Sequence, residues 1–467
     1  MSQNSFLHKS AIGVWVNDVR NEGYRTTDWP RITIDDMTEE SLRMVIDTLS
    51  DWGYNELCLW GLLNSWSWSV DFSRESDEAR LVKVRRIISY AHEKGIKIIY
   101  GFGIYSWGYD EFIKTYPEVR GDSDHAMCGS KEKSFYYMEK VIDFIFETID
   151  VDGLHFESAD LGRCRCEECS KTDDFKYHSI LNTRSAAYVK RRWPGKIVMV
   201  NLISWQCWDD KLTDPAAPQL AQLKELAKHV DYIIDPGHYG CYIDSNILPE
   251  FTAELPCSYG SAGGFRTYFW PSWNRLRAFL PYTRTSYDAV VKLYKNGGRA
   301  VEYYTGPMRN PGAEINTALT GCTLNNPLQS YDDVLAKVVQ SLYTPDSDSA
   351  LKKLMDIFVR AEESFFTNWT GKIAREYISP LFKDFEKYRS YAVDRQIEIG
   401  FNGVDHLKIF MDSCNWANHL RDLELLQSDV QAISSRVKET KKIECMLTCL
   451  DNNIKDLQEL LDFERSK

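Results

Sequence analysis

Short apolar runs alternate with amphipathic segments along roughly the first 310 residues of the chain. The runs are rich in β-branched and aromatic side chains, which strands favour, and they are continuous, as is typical of strands buried on both faces. Helical patterns such as EESLRMVIDTLSDWG and EARLVKVRRIISYAHEKG separate them. The eight predicted strands are 11–17, 56–62, 96–102, 152–158, 196–204, 231–236, 256–260 and 299–304.

Eight strand–helix units predict a parallel (β/α)8 barrel, the TIM barrel, over residues 1–324. The seventh unit has the weakest pattern, because its strand PCSYG is short. A doubly wound open sheet is the competing architecture. That fold needs a glycine-rich phosphate-binding loop after the first strand, and WVNDVRNEGYR does not have the right form.

From about residue 325 the pattern becomes helical, and we expect an α-helical bundle domain over 325–467. The last helix has the clearest pattern, a single apolar stripe with steps of four and three residues. Packing inside the bundle is the first interpretation of the stripe, and a dimerisation seam that makes a homo-oligomer is the alternative. The stripe consists of Ile443, Leu447, Leu450, Ile454, Leu457 and Leu461.

Composition and charge restrict the kinds of molecule that we expect the protein to bind. A net charge of −12 argues against binding to nucleic acid, and no run of 18 apolar residues offers a membrane span. The first residues show no signal-peptide pattern, so we expect a cytoplasmic protein; a secreted or periplasmic form trimmed of its signal is the alternative. Aromatic residues make up 13% of the chain, and exposed Trp and Tyr suit the flat apolar faces of sugars.

In a barrel of this type, functional side chains come from the carboxyl ends of the strands and the loops after them. These positions carry carboxylates, amides and aromatic rings, a mixture that fits the hydroxyl groups and C–H faces of a carbohydrate. The expected substrate-binding residues are Trp15, Asn17, Asp18, Trp66, Trp107, Asp160, Asn201, Trp205, His238, Tyr239 and Tyr304.

Cleavage of a glycosidic bond needs two carboxyl groups, one to protonate the leaving oxygen and one to activate water or attack the sugar. Glu157 is the expected acid, because it follows the apolar strand DGLHF, where burial favours the protonated form. Asp235 and Glu302 are the candidates for the second carboxylate. For each carboxylate a helix cap or an ion pair with arginine is the structural alternative. We interpret His155, in the middle of a strand, as a core histidine with satisfied nitrogens.

Cysteines form the second distinctive cluster. Cys164, Cys166 and Cys169 lie in GRCRCEECS, and this C-x-C-x-x-C spacing can bring thiolates around one zinc ion. A structural site needs a fourth ligand, for which Cys128 and His178 are candidates. A disulfide and a loop of reduced thiols are the alternatives to zinc.

The stretch from HAMCGSKEKSF to GLHFESADLGRCRCEEC resembles a pattern in barrel glycoside hydrolases related to α-glucuronidases and β-N-acetylhexosaminidases. The stretch EINTALTGCTLNNPLQSYDD resembles the start of the helical domain that follows the barrel in the α-glucuronidase-like group. The resemblance implies that Glu157 is the general acid and that Asp235 and Glu302 handle the nucleophilic water. The adjacent Asp–Glu pair of the hexosaminidases is absent, since Glu157 is followed by Ser, Ala and Asp160.

We therefore predict an exo-acting glycoside hydrolase that acts on an oligosaccharide or glycoside and requires no cofactor for the reaction. Retention and inversion at the anomeric carbon both stay open. One alternative is a carbohydrate-binding barrel that has lost catalysis. Another is a metal-dependent sugar isomerase or lyase whose ligands would come from His155, His238, Asp235 and Glu302.

Overall fold

The structure is a computed structural model, and it confirms the barrel as a closed cylinder of eight parallel strands that pair in chain order. It describes residues 5–16, 18–21, 33–63, 67–158, 162–202, 205, 216–235, 255–263, 279–365, 367–368 and 416–465. The strands are His8–Trp15 (β1), Glu56–Trp60 (β2), Lys97–Gly103 (β3), Gly153–Glu157 (β4), Ile197–Asn201 (β5), Tyr232–Asp235 (β6), Ser258–Gly263 (β7) and Ala300–Tyr304 (β8).

Helices surround the barrel and make up the described part of the C-terminal region, as the pattern predicts. The helices that follow barrel strands are Asp36–Asp51 (α1), Glu78–Glu93 (α2), Asp110–Thr115 (α3), Glu132–Thr148 (α4), Asp174–Arg192 (α5), Gln219–Ala227 (α6), Thr283–Lys295 (α7) and Pro311–Asn325 (α8). The C-terminal helices are Tyr331–Tyr343 (α9), Asp348–Phe365 (α10), Trp416–Ile433 (α11) and Thr440–Arg465 (α12). In the described residues, no helix is both long and apolar enough to cross a membrane.

Side chains alternate between the two faces of each strand, so each strand contributes to two cores. In β4, Leu154 and Phe156 pack in the large core between the barrel and the helices, whereas His155 faces the barrel interior beside Trp60 of β2. A separate apolar cluster fills that interior. Its members are Ile12, Trp15, Cys58, Trp60, Ile99, Trp107, Ile197, Met199, Tyr232, Ile234, Ala300 and Tyr304.

A glycine in β3 makes room for one of the three tryptophans of this interior cluster. A Cβ atom on Gly101 would lie 1.9 Å from the indole nitrogen of Trp60, so the Trp60 ring lies directly against the β3 backbone. Any larger residue at Gly101 would clash with the Trp60 ring, because an aromatic side chain packed in the barrel has no space into which it can shift. This glycine therefore places Trp60 in the interior.

The last helix packs with its apolar stripe inward, which confirms the first interpretation of the pattern. Ile443, Leu450 and Leu457 are buried, and the other three stripe residues are partly buried against the same core. Lys442 of α12 forms an ion pair with Glu314 of α8, which ties the C-terminal helices to the barrel. The predicted boundary between residues 324 and 325 remains a prediction.

A buried carboxylate of α10 caps the N-terminus of barrel helix α7. Glu362 is 5% exposed and accepts hydrogen bonds from the backbone N–H groups of Arg284 and Thr285, both at 2.8 Å. The hydroxyl groups of Thr283 and Thr285 donate to it at 3.1 and 2.7 Å. A negative group at this position satisfies orphan donors and complements the helix dipole. Burial raises the pKa of Glu362, which these four hydrogen bonds oppose.

Glu362→Gln should lower the free energy of unfolding by about 2–4 kcal/mol, because an amide nitrogen would face donors that need an acceptor. Urea unfolding of the full chain, followed by circular dichroism, measures the shift in the midpoint. Glu363→Gln is the matched control, since its side chain is exposed and adjacent in sequence. Equal midpoints for the two variants would contradict the capping role.

Candidate active site

Three polar side chains of β4, β5 and β8 meet inside the barrel. His155 and Glu302 are the middle residues of their strands, and Asn201 is the last residue of its strand. Glu302 lies in β8, and its Oε2 atom is 3.4 Å from the Asn201 amide nitrogen of β5 and 3.4 Å from Nε2 of His155. All three side chains are fully buried. Within the described residues, the Oε1 atom of Glu302 has no hydrogen-bond partner. A buried carboxylate with an oxygen left open is costly for a fold and typical of a functional site.

Glu157 ends β4 and belongs to the same site. Its backbone pairs in register with Asn201 of the neighbouring strand, and the side-chain amide of Asn201 donates to Glu302. The side chain of Glu157 is 6% exposed, slightly more than that of Glu302. The structure thus brings together Glu157, Asn201 and Glu302, which the sequence predicts as two catalytic residues and one substrate ligand.

The pKa of the Cys58 thiol depends on both carboxylates, which indicates that Glu157 and Glu302 lie near the same interior position. Burial raises the pKa of Cys58, and the charges of Glu302, Glu157 and Glu56 raise it further. Glu56 lies towards the amino end of the barrel, where His8 and Tyr232 contact its two oxygens at 2.7 and 2.9 Å. Glu56 thus has a partner on each oxygen, whereas within the described residues the Oε1 atom of Glu302 has none.

His155 differs from its interpretation as a satisfied core histidine. The ring is fully buried, but neither nitrogen has a hydrogen-bond partner within the described part of the chain. Its Nε2 atom lies near Glu302 without hydrogen-bond geometry, and its ring meets Trp60 edge to face at 6.0 Å. The pattern of the sequence identifies the buried position, whereas the lack of partners depends on residues from other strands.

Three tryptophans form an aromatic group at the carboxyl end of the barrel interior. Trp60 lies 5.8 Å from Trp15 and 5.4 Å from Trp107 between ring centroids, and Trp15 lies 6.0 Å from Trp107. Trp107 and its neighbour Tyr105 have φ angles of 64° and 60°, in the left-handed region that disfavours bulky residues. Such strain clusters at functional sites, where the surroundings hold it in place. The predicted ligand Tyr304, at the end of β8, belongs to the same interior cluster.

Two other predicted ligands lie in different surroundings. Asp18 is buried and accepts the backbone N–H of Trp15 at 3.1 Å, so it holds the turn after β1. Trp205 lies between the barrel and α5, where its indole nitrogen donates to Ser158 at 2.9 Å and its ring packs on Phe175 and His178. The structure does not bring Trp205 together with Glu302.

Several predicted residues cannot be placed. Asp235 ends β6, but its side chain lies outside the described part. The remaining predicted ligands outside the described residues are Asn17, Trp66, Asp160, His238 and Tyr239. Trp60 is not among the expected substrate-binding residues, although it ends β2 and shares strand parity with Cys58 two positions earlier.

The four cysteines lie together beside the barrel mouth. All their Sγ atoms are within 4.8 Å of one another, and Cys128 lies 3.7 Å from both Cys166 and Cys169. The cysteines are free thiols, and they form a group of side chains that could hold a metal ion. The other candidate for the fourth ligand, His178, instead stacks on Trp205.

The hydrogen bond between Cys164 and Cys128 shifts the pKa values of these two thiols in opposite directions. The hydrogen bond from Cys164 lowers the pKa of Cys128 to about 4, and the same contact raises the pKa of Cys164. Asp122 accepts from the Cys164 thiol at 3.2 Å. Without an ion, Cys128 is therefore the more acidic thiol of this pair and Cys164 keeps its proton; ligation of a metal ion needs the thiolate form of each sulfur.

Comparison with known sequences does not assign the chain to a family. No protein-family model matches the chain. One curated protein, the Kunitz-type serine protease inhibitor homolog beta-bungarotoxin BF B2 chain of Bungarus fasciatus, is 33% identical over 58 residues, which is 12% of this chain and 68% of that protein. A match of that length does not account for an eight-stranded barrel, and we assign no family from it.

Solved structures resemble the chain over most of its length. A mutant of the O-GlcNAc hydrolase of Thermobaculum terrenum has a TM-score of 0.51 at 13% identity, covering 96% of this chain and 81% of that one. A β-N-acetylhexosaminidase has a TM-score of 0.44 at 12% identity (72% and 76% covered), and an α-amylase from Geobacillus thermoleovorans has 0.41 at 12% (69% and 79% covered). At 13% identity the first likeness concerns the fold alone. The chain has the barrel fold found in glycoside hydrolases.

Proposed function

We propose that this chain is a glycoside hydrolase that cleaves sugar units from the end of an oligosaccharide or glycoside. The observation that carries the proposal is that Glu157 and Glu302 both lie close enough to Cys58 of the barrel interior to raise the pKa of its thiol, and that Asn201, the register partner of Glu157, donates its amide to Glu302. Most enzymes that cleave a glycosidic bond use two carboxyl groups at one site. The aromatic group of Trp15, Trp60 and Trp107 adds apolar faces suited to a sugar ring.

The two carboxyl groups would take different roles. Glu157, at the strand end and slightly more exposed, donates its proton to the glycosidic oxygen as the bond to the anomeric carbon breaks. Glu302 either removes a proton from the attacking water or attacks the anomeric carbon itself, and its amide neighbour Asn201 suits an ionised carboxylate. Asp235 stays the alternative second carboxylate.

The barrel interior below the carboxyl groups is filled. Ile12, Cys58, Ile99 and Met199 pack there, so a substrate that reaches the carboxyl groups meets a packed floor. Barrels of this type are packed in this way whether they act on chain ends or within a polymer, so exo action stays a prediction from the sequence. The same packing places the reacting bond away from bulk water.

A substrate screen tests the proposal. Aryl glycosides that cover hexosaminides, glucuronides, galactosides and fucosides, together with a panel of reducing-end-labelled oligosaccharides, should include at least one that the wild-type chain hydrolyses. Proton NMR of the first product then identifies retention or inversion. Binding of a sugar by calorimetry without turnover of any panel member would favour the non-catalytic binding alternative instead.

The isomerase alternative predicts activity on a free sugar that a chelator abolishes. Within the described residues, His155 and Glu302 have no third His, Cys, Asp or Glu close enough to share a metal ion with them. Such chemistry needs three or more ligands at the strand ends. The described part of the site therefore supports paired-carboxylate hydrolysis better than metal-dependent isomerisation.

We further propose that the four cysteines bind one structural zinc ion. A tetrahedral zinc with sulfur ligands about 2.3 Å away places the sulfur atoms about 3.8 Å apart. The distances of 3.7 Å from Cys128 to Cys166 and Cys169 match that spacing. Because four protein ligands close the coordination shell, the ion would have no open position for substrate and would serve structure.

A further inference from the structure

Two loops of the barrel mouth contribute to the four-cysteine cluster. Cys128 lies between β3 and α4, and Cys164, Cys166 and Cys169 lie between β4 and α5. Both loops follow the carboxyl ends of neighbouring strands, the end at which a barrel of this type places its chemistry. Any ion held by these sulfur atoms therefore crosslinks two loops of the candidate active site.

The Cys128 side of the cluster is joined to the strained loop that carries Trp107. The backbone N–H of Met127 donates to the carbonyl of Tyr105 at 2.7 Å, and Ala126 pairs with Ser106 in an antiparallel bridge. Cys128 is the next residue after Met127. A fixed Cys128 thus holds the partner segment of a loop whose two aromatic residues sit at positive φ.

The other side of the cluster is joined to the segment that follows Glu157. Ser158 is held by Asn182 at 3.2 Å and by Trp205 at 2.9 Å. Six residues later, Cys164 enters the cluster. Ser158, directly after the predicted general acid, and Cys164 therefore both have fixed contacts, Ser158 with Asn182 and Trp205 and Cys164 within the sulfur cluster.

Direct contacts between the two loops surround the cluster. Asp122 of the first loop accepts the backbone N–H of Arg165 at 2.6 Å and the thiol of Cys164 at 3.2 Å. Gly121 lies so close that a Cβ atom there would be 2.2 Å from the Cys164 sulfur. The two loops therefore meet at the sulfur cluster itself and at the contacts of Asp122 and Gly121 beside it.

We infer that the metal-filled cysteine cluster is a clamp that positions two parts of the active site, the Trp107 loop and residues 162–169, which follow Glu157 in the chain. The four cysteines are positioning residues, since none of them contacts the interior carboxyl groups in the described contacts. The inference rests on the zinc proposed above, and its activity readout rests on the proposed hydrolase function. It predicts that loss of the ion loosens this mouth locally while the barrel stays folded.

The test compares Cys166→Ser with Cys445→Ser in the full chain. Both thiols are half-buried, and Cys445 lies in α12, away from the cluster. Elemental analysis should give one zinc per wild-type and Cys445→Ser chain and almost none for Cys166→Ser. With unchanged far-ultraviolet circular dichroism, trypsin should cut Cys166→Ser after Arg163 and Arg165 about tenfold faster or more, because cleavage follows the population of the open loop.

Activity and a second route to the metal-free state complete the test. The KM for a hydrolysed aryl glycoside should rise about tenfold in Cys166→Ser, a change that a remote structural site would not produce. If Cys166→Ser does not fold, a mercurial titrated into the wild-type chain, with zinc release followed by a dye, should open the same tryptic sites.

The outcomes separate the proposals. Wild-type protein without zinc would overturn both the zinc site and the clamp. Zinc present, with tryptic cleavage and KM unchanged after its removal, would overturn the clamp alone. Absence of any glycosidase activity would remove the hydrolase proposal, while zinc content and cleavage would still decide the clamp.

Discussion

Glu157→Gln should lower kcat/KM by about 10²–10⁴-fold for a glycoside with a poor leaving group, because glutamine cannot donate the proton that the departing oxygen needs. The loss should be much smaller for a dinitrophenyl glycoside, whose leaving group departs without protonation. Steady-state kinetics on the two substrates measures the difference. Sugar binding should survive, since glutamine has nearly the same shape as glutamate.

The leaving-group dependence separates general acid catalysis from a structural effect. Glu167→Gln is the control, because this exposed carboxylate lies in the loop that follows β4 and should leave both rates at their wild-type values. Equal losses of Glu157→Gln on the two substrates would assign Glu157 to another step. Wild-type rates in Glu157→Gln would exclude it from catalysis.

Glu302→Gln should also lower kcat/KM by about 10²–10⁴-fold, but equally for good and poor leaving groups. The reason is that Glu302 acts on the water or on the anomeric carbon, and neither role depends on the departing group. Its side chain is fully buried, and within the described residues its Oε1 atom has no hydrogen-bond partner that the substitution would remove.

A control for Glu302 exists in the same barrel. Glu56→Gln removes an equally buried carboxylate whose two oxygens contact His8 and Tyr232, and it should reduce stability while it leaves turnover intact. Asp235→Asn tests the alternative second carboxylate. Full activity in Glu302→Gln together with a large loss in Asp235→Asn would transfer the role to Asp235.

Most of the barrel could be predicted from the sequence, because strands buried on both faces are continuous apolar runs. β3 at Lys97–Gly103 differs by one residue from the predicted 96–102. The poorest match is β7, which covers Ser258–Gly263 where 256–260 is predicted. Its sequence SYGSAG is dominated by small residues with weak strand preference, so backbone pairing with the neighbouring strands decides its bounds.

The site could be predicted only in part, because position along a strand does not identify the face of a side chain. Glu157 and Asn201 end their strands and face inward, whereas Trp205, shortly after β5, packs outward against α5. The fourth cysteine needed tertiary information as well. Cys128 and His178 are equally plausible along the chain, and only the folded loops show that Cys128 lies beside the other three sulfur atoms.

The cap that Glu362 places on α7 has a consequence for any attempt to isolate the catalytic barrel. A fragment that ends at residue 324 would lack Glu362, so the backbone N–H groups in the first turn of α7 would lose their acceptor. This helix connects β7 to β8, the last two strands of the barrel. The C-terminal region therefore contributes a helix cap to the barrel that precedes it in the chain. A transplanted or minimised version would have to carry α10 along or supply another anion at that spot.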